Sequence, residues 1–168
     1  SARFLFRVIA LLLFRFHCQG RHHIPRRGGA LICCNHQSML DPPIVGVAAS
    51  RHLGYLARKT LFKHPLFGWF LRKVDSIPLN QNGMGIQGIK ATLKSLKRGG
   101  VVVIFPEGTR SKTGELQQLK GGFIALARRA KVPLVPCGFT GAHECLPRGK
   151  GAIRFRRIRC VYGEAISV

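Results

Sequence analysis

The sequence predicts an α/β fold, a single layered domain whose mostly parallel, mixed central sheet is flanked by helices. Three observations lead there. Two short runs, Ala30 to Cys34 and Val101 to Phe105, are continuously apolar, as strands buried on both faces are. Stretches with apolar residues at helical spacing separate such runs, so strand and helix alternate along the chain. A length of 168 residues at 46% hydrophobic content supports one core and leaves little room for a second.

The first element, within residues 1–19, is an N-terminal helix expected from Phe4 to Phe16. Its apolar residues are interrupted by Arg7 and closed by Arg15, and it falls short of the roughly 20 residues that a membrane span requires. With Arg3, Arg7 and Arg15 beside Phe4, Leu5, Ile9, Leu11 and Phe14, it suits an amphipathic helix lying in a membrane headgroup region; the other reading is a helix packed on its own domain. A secretory signal is disfavoured, since no small-residue cleavage site comes before Arg21-His22-His23. The chain lacks an initiator Met and stops soon after a strand-like run, so a trimmed piece of a longer protein is expected.

Residues 20–168 make the folded domain. A basic turn from Gly20 to Gly29 leads into the strand Ala30 to Cys34. A helix is expected from Pro42 to about Ser50, a strand from Leu53 to Ala57, and a helix from Thr60 to about Lys73, shortened or bent by Pro65. Ser76 to Leu79 reads as extended. Gly85 to Lys97 has Ile86, Ile89, Leu93 and Leu96 at helical spacing and is ended by Gly99-Gly100. Val101 to Phe105 is the strongest strand signal, because β-branched residues crowd it and Pro106 stops its ladder. A helix from Gly122 to Ala130, a strand from Leu134 to Phe139, and an alternating run from Ala152 through Arg156 up to Tyr162 complete the expected layers.

Charge and cysteines bound the partners. With 28 Lys+Arg against 6 Asp+Glu, the formal net charge of +22 calls for an anionic partner: nucleic acid, an acidic membrane surface, or phosphorylated small substrates. Six cysteines without a C-x-x-C pair, in a chain too large to need staples, fit a reduced, cytosol-facing compartment. Cys18 with His22 and His23 lacks the second ligand pair of a zinc finger, so no metal is expected.

Two constellations carry chemistry. Asn35-His36-Gln37-Ser38-Met39-Leu40-Asp41 follows the first buried strand, at a strand end where α/β proteins hold ligands. In one regular helix, His36 and Asp41 would face different ways, about 140° apart. Asp41 precedes Pro42-Pro43, however, so it reads as a helix N-cap and the segment before it as a turn. A turn can bring the Asp41 carboxylate onto one nitrogen of His36, setting the tautomer of a general base; alternatively Asp41 only caps its helix. Phe105-Pro106-Glu107-Gly108-Thr109-Arg110-Ser111 follows the central strand. There Arg110 offers a planar fork for phosphate, Gly108 permits a turn whose N–H groups face an anion, and Glu107 either holds Arg110 or binds a substrate hydroxyl. The alternative is a surface loop with a Glu–Arg ion pair.

Together these blocks resemble the PlsC-like 1-acyl-glycerol-3-phosphate acyltransferase family, whose first block is N-H-x-x-x-x-D and whose third is F-P-E-G-T-R-S. Val132-Pro133-Leu134-Val135-Pro136 looks like its fourth block and Lys120-Gly121-Gly122-Phe123 like a basic-glycine element after the third, so the resemblance covers about residues 28 to 164. It implies that His36 is the general base, Asp41 its partner, and Glu107, Gly108 and Arg110 part of the site for the acceptor's phosphate and glycerol; Thr109 and Lys120 join them as candidate substrate-binding residues. It further implies direct transfer from acyl-ACP or acyl-CoA to the sn-2 hydroxyl of 1-acyl-glycerol-3-phosphate, with no cofactor, no metal and no covalent acyl-enzyme. None of the cysteines lies in either chemistry-bearing block, which argues against a Cys nucleophile. One position departs: Gln81 stands where the family's second block usually ends in an arginine. Lys120, Arg58 or Lys59 could supply that charge, and the departure makes a different lysophospholipid acceptor the second hypothesis. A basic nucleic-acid-binding domain, suggested by Ile153 to Arg159, is the third, disfavoured by 8% aromatic content and the lack of any RNA-binding signature.

Overall fold

The computed structural model describes residues 12–63, 65, 76–79, 85–149 and 151–168. Its elements are β1 (His17–Gln19), β2 (Ala30–Cys34), α1 (Asp41–Ala48), β3 (Leu53–Arg58), β4 (Ile77–Leu79), α2 (Gly85–Lys97), β5 (Val101–Ile104), α3 (Gly122–Ala130), β6 (Leu134–Thr140), α4 (Ala142–Cys145) and β7 (Arg159–Tyr162). Short 3₁₀ turns occupy Arg21–His23 and Lys59–Lys63.

The strands form one seven-stranded sheet in the order β1-β7-β6-β2-β5-β3-β4. From β6 to β4 every neighbouring pair is parallel, whereas β7 runs antiparallel to β6 and β1 pairs parallel with β7. The expected mostly parallel mixed sheet is therefore what the chain builds. Its centre is dry because β2 and β5 bury both of their faces: Ala30, Ile32, Cys34, Val101 and Val103 pack on one side, Leu31, Val102 and Ile104 on the other. Helix α1 covers the first face with Ile44, Val45 and Ala48; α2 and α3 cover the second with Leu96, Leu126, Ala127 and Ala130. Each fully buried Leu, Ile or Val in these layers contributes about 1.5–3 kcal/mol against the entropy of ordering the chain.

Several expectations change. The helix expected to start with Asp41 as its cap instead has Leu40 at that position, with Asp41 as its first residue, and it ends at Ala48 because Ala49 is already extended. Of the helix expected from Thr60 to about Lys73, residues 60–63 belong to a 3₁₀ turn that begins at Lys59 and Pro65 is helical; residues 64, 66–73 and 81 lie outside the described residues. The run 152–156 alternates like a strand but is not one: β6 offers β7 only the register Cys137↔Tyr162 to Thr140↔Arg159. Upstream of Arg159 the chain bonds to other partners, Arg154 N–H to Cys145 O and Ile158 N–H to Phe14 O. Strands β1 and β7 were not both foreseen, since three residues of β1 carry too little pattern; it forms because His17 to Gln19 pairs with Arg159 to Val161. The short α4 also escaped notice. Of the N-terminal helix, residues 12–14 are helical, Arg15 leaves that conformation with φ 42°, Phe16 is buried, and residues 1–11 lie outside the described residues. Among the described residues no helix is long and apolar enough to cross a membrane.

Candidate active site

Strand register brings the two sequence blocks together. β2 and β5 are parallel neighbours with Cys33 opposite Ile104, so His36 and Glu107, each three residues further on, leave the sheet side by side. This is the carboxyl edge of parallel strands, where such sheets place ligands. Asn35 fixes the exit of β2: its side chain donates to Phe139 O at 3.0 Å and accepts from Phe139 N–H at 2.6 Å, tying the turn to β6.

His36 is held on every side but one. Its Nδ1 lies 2.9 Å from Asp41 Oδ2, its backbone N–H donates to Glu107 Oε1 at 2.7 Å, and its carbonyl accepts from Ser111 N–H at 2.7 Å. The imidazole stacks on Phe105 with centroids 4.1 Å apart and planes 21° from parallel. Its side chain is 18% exposed, and Nε2 has no partner among the described residues. With Asp41 accepting the Nδ1 proton, the neutral ring presents the lone pair of Nε2 outward, as a base requires.

Asp41 does not cap its own helix. Its fully buried carboxylate turns back, and Oδ2 accepts Gln37 N–H at 2.6 Å, Ser38 N–H at 2.7 Å and the His36 ring. The two expected roles, capping and orienting, thus become one: the carboxylate closes the turn that carries the histidine. Charge-assisted bonds of this kind are roughly twice as strong as neutral ones. Gln37 and Ser38 extend the brace, bonding Gly114 O at 2.6 Å and Leu146 O at 2.9 Å.

Glu107 was expected to hold Arg110 or bind a substrate hydroxyl, and its geometry supports neither. It is 4% exposed; Oε1 takes the His36 N–H, while Oε2 accepts Gln117 N–H at 3.2 Å and Gln117 Nε2 at 3.0 Å. The residue is a strut between the two blocks. Arg110 is left half-buried, its guanidinium without a hydrogen-bond partner among the described residues. Gly108 turns the chain at φ 74°, and a Cβ there would come within 2.9 Å of Lys120 Nζ, so the lysine lies over the turn. Lys120 N–H donates to Pro106 O at 3.0 Å. Arg148, missed in the sequence because it belongs to neither block, donates to Thr109 Oγ1 at 3.2 Å and Arg110 O at 3.3 Å. Arg110, Lys120 and Arg148 therefore surround one exposed turn, enough positive charge to hold a phosphate. The side chains of Arg58 and Lys59 are not among those described.

The cysteines lie elsewhere. Burial pushes the Cys33 thiol up to about 12; Cys18 is raised by its hydrogen bond with Cys160 and Cys160 by that with Cys137, while Cys137, lowered by Cys160, is raised overall by Cys34 and by burial. Cys18 and His23 are engaged with Ala48 O and Tyr162 O, and the described residues contain no group of three His, Cys, Asp or Glu side chains able to hold a metal.

The profile of the family described as Acyltransferase matches residues 15–140, which include both blocks and every brace on His36 except Leu146. The chain belongs to the acyltransferase family. This acyltransferase is 33% identical over 147 residues to the 1-acyl-sn-glycerol-3-phosphate acyltransferase of Bacillus subtilis, covering 87% of the chain and 71% of that protein. It is 35% identical over 130 residues to the protein of the same name from Cocos nucifera, covering 76% of the chain but only 42% of that protein. It is also similar in fold to the crystal structure of 1-acyl-sn-glycerophosphate (LPA) acyltransferase, PlsC, from Thermotoga maritima. That likeness has a TM-score of 0.84 and 22% identity, and covers 99% of this acyltransferase and 68% of that chain.

Proposed function

We propose that this acyltransferase moves a fatty acyl group from an acyl thioester, acyl-ACP or acyl-CoA, to the sn-2 hydroxyl of 1-acyl-glycerol-3-phosphate, giving phosphatidate. One observation carries the reading: a histidine braced by Asp41 and Glu107 presents a free Nε2 beside a turn ringed by Arg110, Lys120 and Arg148. The relatives' names agree with it.

In the reaction, His36 Nε2 takes the proton of the acceptor hydroxyl as its oxygen attacks the thioester carbonyl. The buried Asp41 carboxylate stabilises the imidazolium so formed. Collapse of the tetrahedral intermediate breaks the carbon–sulfur bond, and the imidazolium returns its proton to the departing thiolate, leaving a free thiol and a new ester. No group on the enzyme is acylated. Arg110, Lys120 and Arg148 hold the acceptor's phosphate, with Gly108 and Thr109 shaping the turn beneath it. A base placed this way is worth about 10² to 10⁴ in rate. The enzyme works at the cytosol-facing surface of an anionic membrane, where a basic residue near the leaflet contributes about 1 kcal/mol.

The test offers the purified chain labelled acyl-CoA and acyl-ACP with lysophosphatidate or with lysolipids of larger headgroup. Phosphatidate formed fastest from lysophosphatidate is expected; preference for a larger headgroup would replace the acceptor with the second hypothesis that Gln81 raises.

A further inference from the structure

A second feature of the molecule is taken up by none of this. Every residue from 151 to 157 is exposed, in a segment that alternates apolar and basic residues without belonging to the sheet. Ile153 is 48% and Phe155 62% exposed, large values for residues that gain by leaving water. Arg154, Arg156, Arg157 and Arg159 instead line a cavity of about 680 Å³ against α4, in which Glu144 is the single carboxylate among the described lining residues. Phe155 touches Phe14 with centroids 5.6 Å apart, and Phe14 closes the apolar N-terminal run, whose Leu12 and Leu13 are 76% and 43% exposed. Two apolar strips thus converge beside a concentration of arginine.

We propose that residues 153–157 are a docking surface for an anionic lipid bilayer: Ile153 and Phe155 enter the headgroup region while Arg154, Arg156 and Arg157 hold lipid phosphates. The pairing of exposed apolar tips with arginines is what a lipid interface selects, because the tips need a hydrocarbon boundary and the guanidiniums need anions just above it. Nucleic acid would satisfy the arginines and leave Ile153 and the Leu12–Leu13 pair in water. The proposal deepens the membrane-surface part of the reading above by naming the surface, and it is independent of which lysolipid is acylated.

The experiment sediments the full chain with phosphatidylcholine vesicles, with and without phosphatidylglycerol. Arg154→Ala, Arg156→Ala and Arg157→Ala together should lower partition onto the anionic vesicles about a hundredfold, at roughly fivefold per arginine. Partition onto neutral vesicles should hardly change. Ile153→Ser with Phe155→Ser should weaken binding to both kinds. In a Trp69→Phe background, which removes the single native tryptophan, Phe155→Trp should shift its emission to the blue when anionic vesicles are added. Unchanged partition of both variants, or no shift, would overturn the proposal. So would tighter binding to polyuridylate than to vesicles, or release of the vesicles by low inorganic phosphate, which would make the cavity a free-anion site. Turnover of a short-chain, monomeric lysophosphatidate should survive all three variants; its loss with partition intact would assign the cavity to substrate and also overturn the proposal. A chain that binds vesicles as predicted but acylates nothing sinks the proposed function alone.

Discussion

Asp41 Oδ2 receives three hydrogen bonds in a fully buried position, and this makes it the most consequential single atom of the site. Asp41→Ala strands two backbone N–H groups and frees the ring, so it should cost about 2–4 kcal/mol in stability as well as activity. Asp41→Asn keeps the shape but weakens its charge-assisted bonds and turns the tautomer; a large fall in kcat with a smaller fall in melting temperature is expected, and a mild loss of kcat would leave Asp41 a purely structural residue. Glu107→Gln tests the strut: its amide oxygen can still accept from His36 N–H, but its NH2 group then faces the two Gln117 donors and cannot accept from them, so kcat should drop about tenfold with KM for lysophosphatidate little changed, whereas a rise in KM alone would restore Glu107 to the acceptor site. At this scale the pairing of His36 with Asp41 was legible in the first sequence block, and the 2.9 Å contact between them is what the expected turn allows. The work of Glu107 was not, because its partners, the His36 backbone and Gln117, are fixed only by the pairing of distant strands. Arg148 and Gln117 had no signal at all outside the fold.

Among the elements, those with a buried, periodic face were the ones legible beforehand. Both α2 and α3 have the limits their spacing predicts, and β2 has those of its apolar run, because burial on a sheet leaves few alternatives. What failed was short or exposed: β1, α4 and residues 152–156 take their form from tertiary hydrogen bonds rather than from pattern. The junction of β6 with α4 depends on Gly141, whose φ is 86° and whose added Cβ would collide with Arg157 O. Gly141→Ala should therefore lower the melting temperature by several degrees, corresponding to about 1–3 kcal/mol, measured by circular dichroism. An unchanged melting curve would mean that the turn carries no strain. Alkaline stability belongs here too, since Cys33 on β2 and its neighbours on β6 and β7 are held protonated. A thiol raised from 9.0 to about 12 contributes stability below pH 9 that is lost as pH rises toward 12. Stability should accordingly fall above pH 9 by roughly 1 kcal/mol per pH unit per such thiol, read as a declining melting temperature; a flat profile to pH 11 would contradict the burial of these groups.

For the whole molecule, the charge of +22 stands out against a fold that needs little of it. Some of it is structural: Arg51 bonds the carbonyls of Pro25, Gly28 and Gly99 and closes three loops around one guanidinium. Two concentrations of it stand out, Arg110, Lys120 and Arg148 around one turn and Arg154, Arg156, Arg157 and Arg159 lining one cavity. Self-repulsion at low salt should make the melting temperature rise as ionic strength approaches about 0.15 M; a melting temperature that falls over that range would contradict it. The fold class and the meeting of two distant blocks could be anticipated from the sequence because both rest on strand burial and order, whereas the distribution of charge over the surface could not. His36, as the group that removes the acceptor's proton in the proposed reaction, is the residue on which turnover depends most. The most direct measurement is single-turnover phosphatidate formation by His36→Ala beside the unaltered chain, with lysophosphatidate binding and melting temperature recorded for both. A loss of about 10² to 10⁴ in rate with binding and melting retained is predicted; turnover within a few fold of the unaltered chain would contradict it.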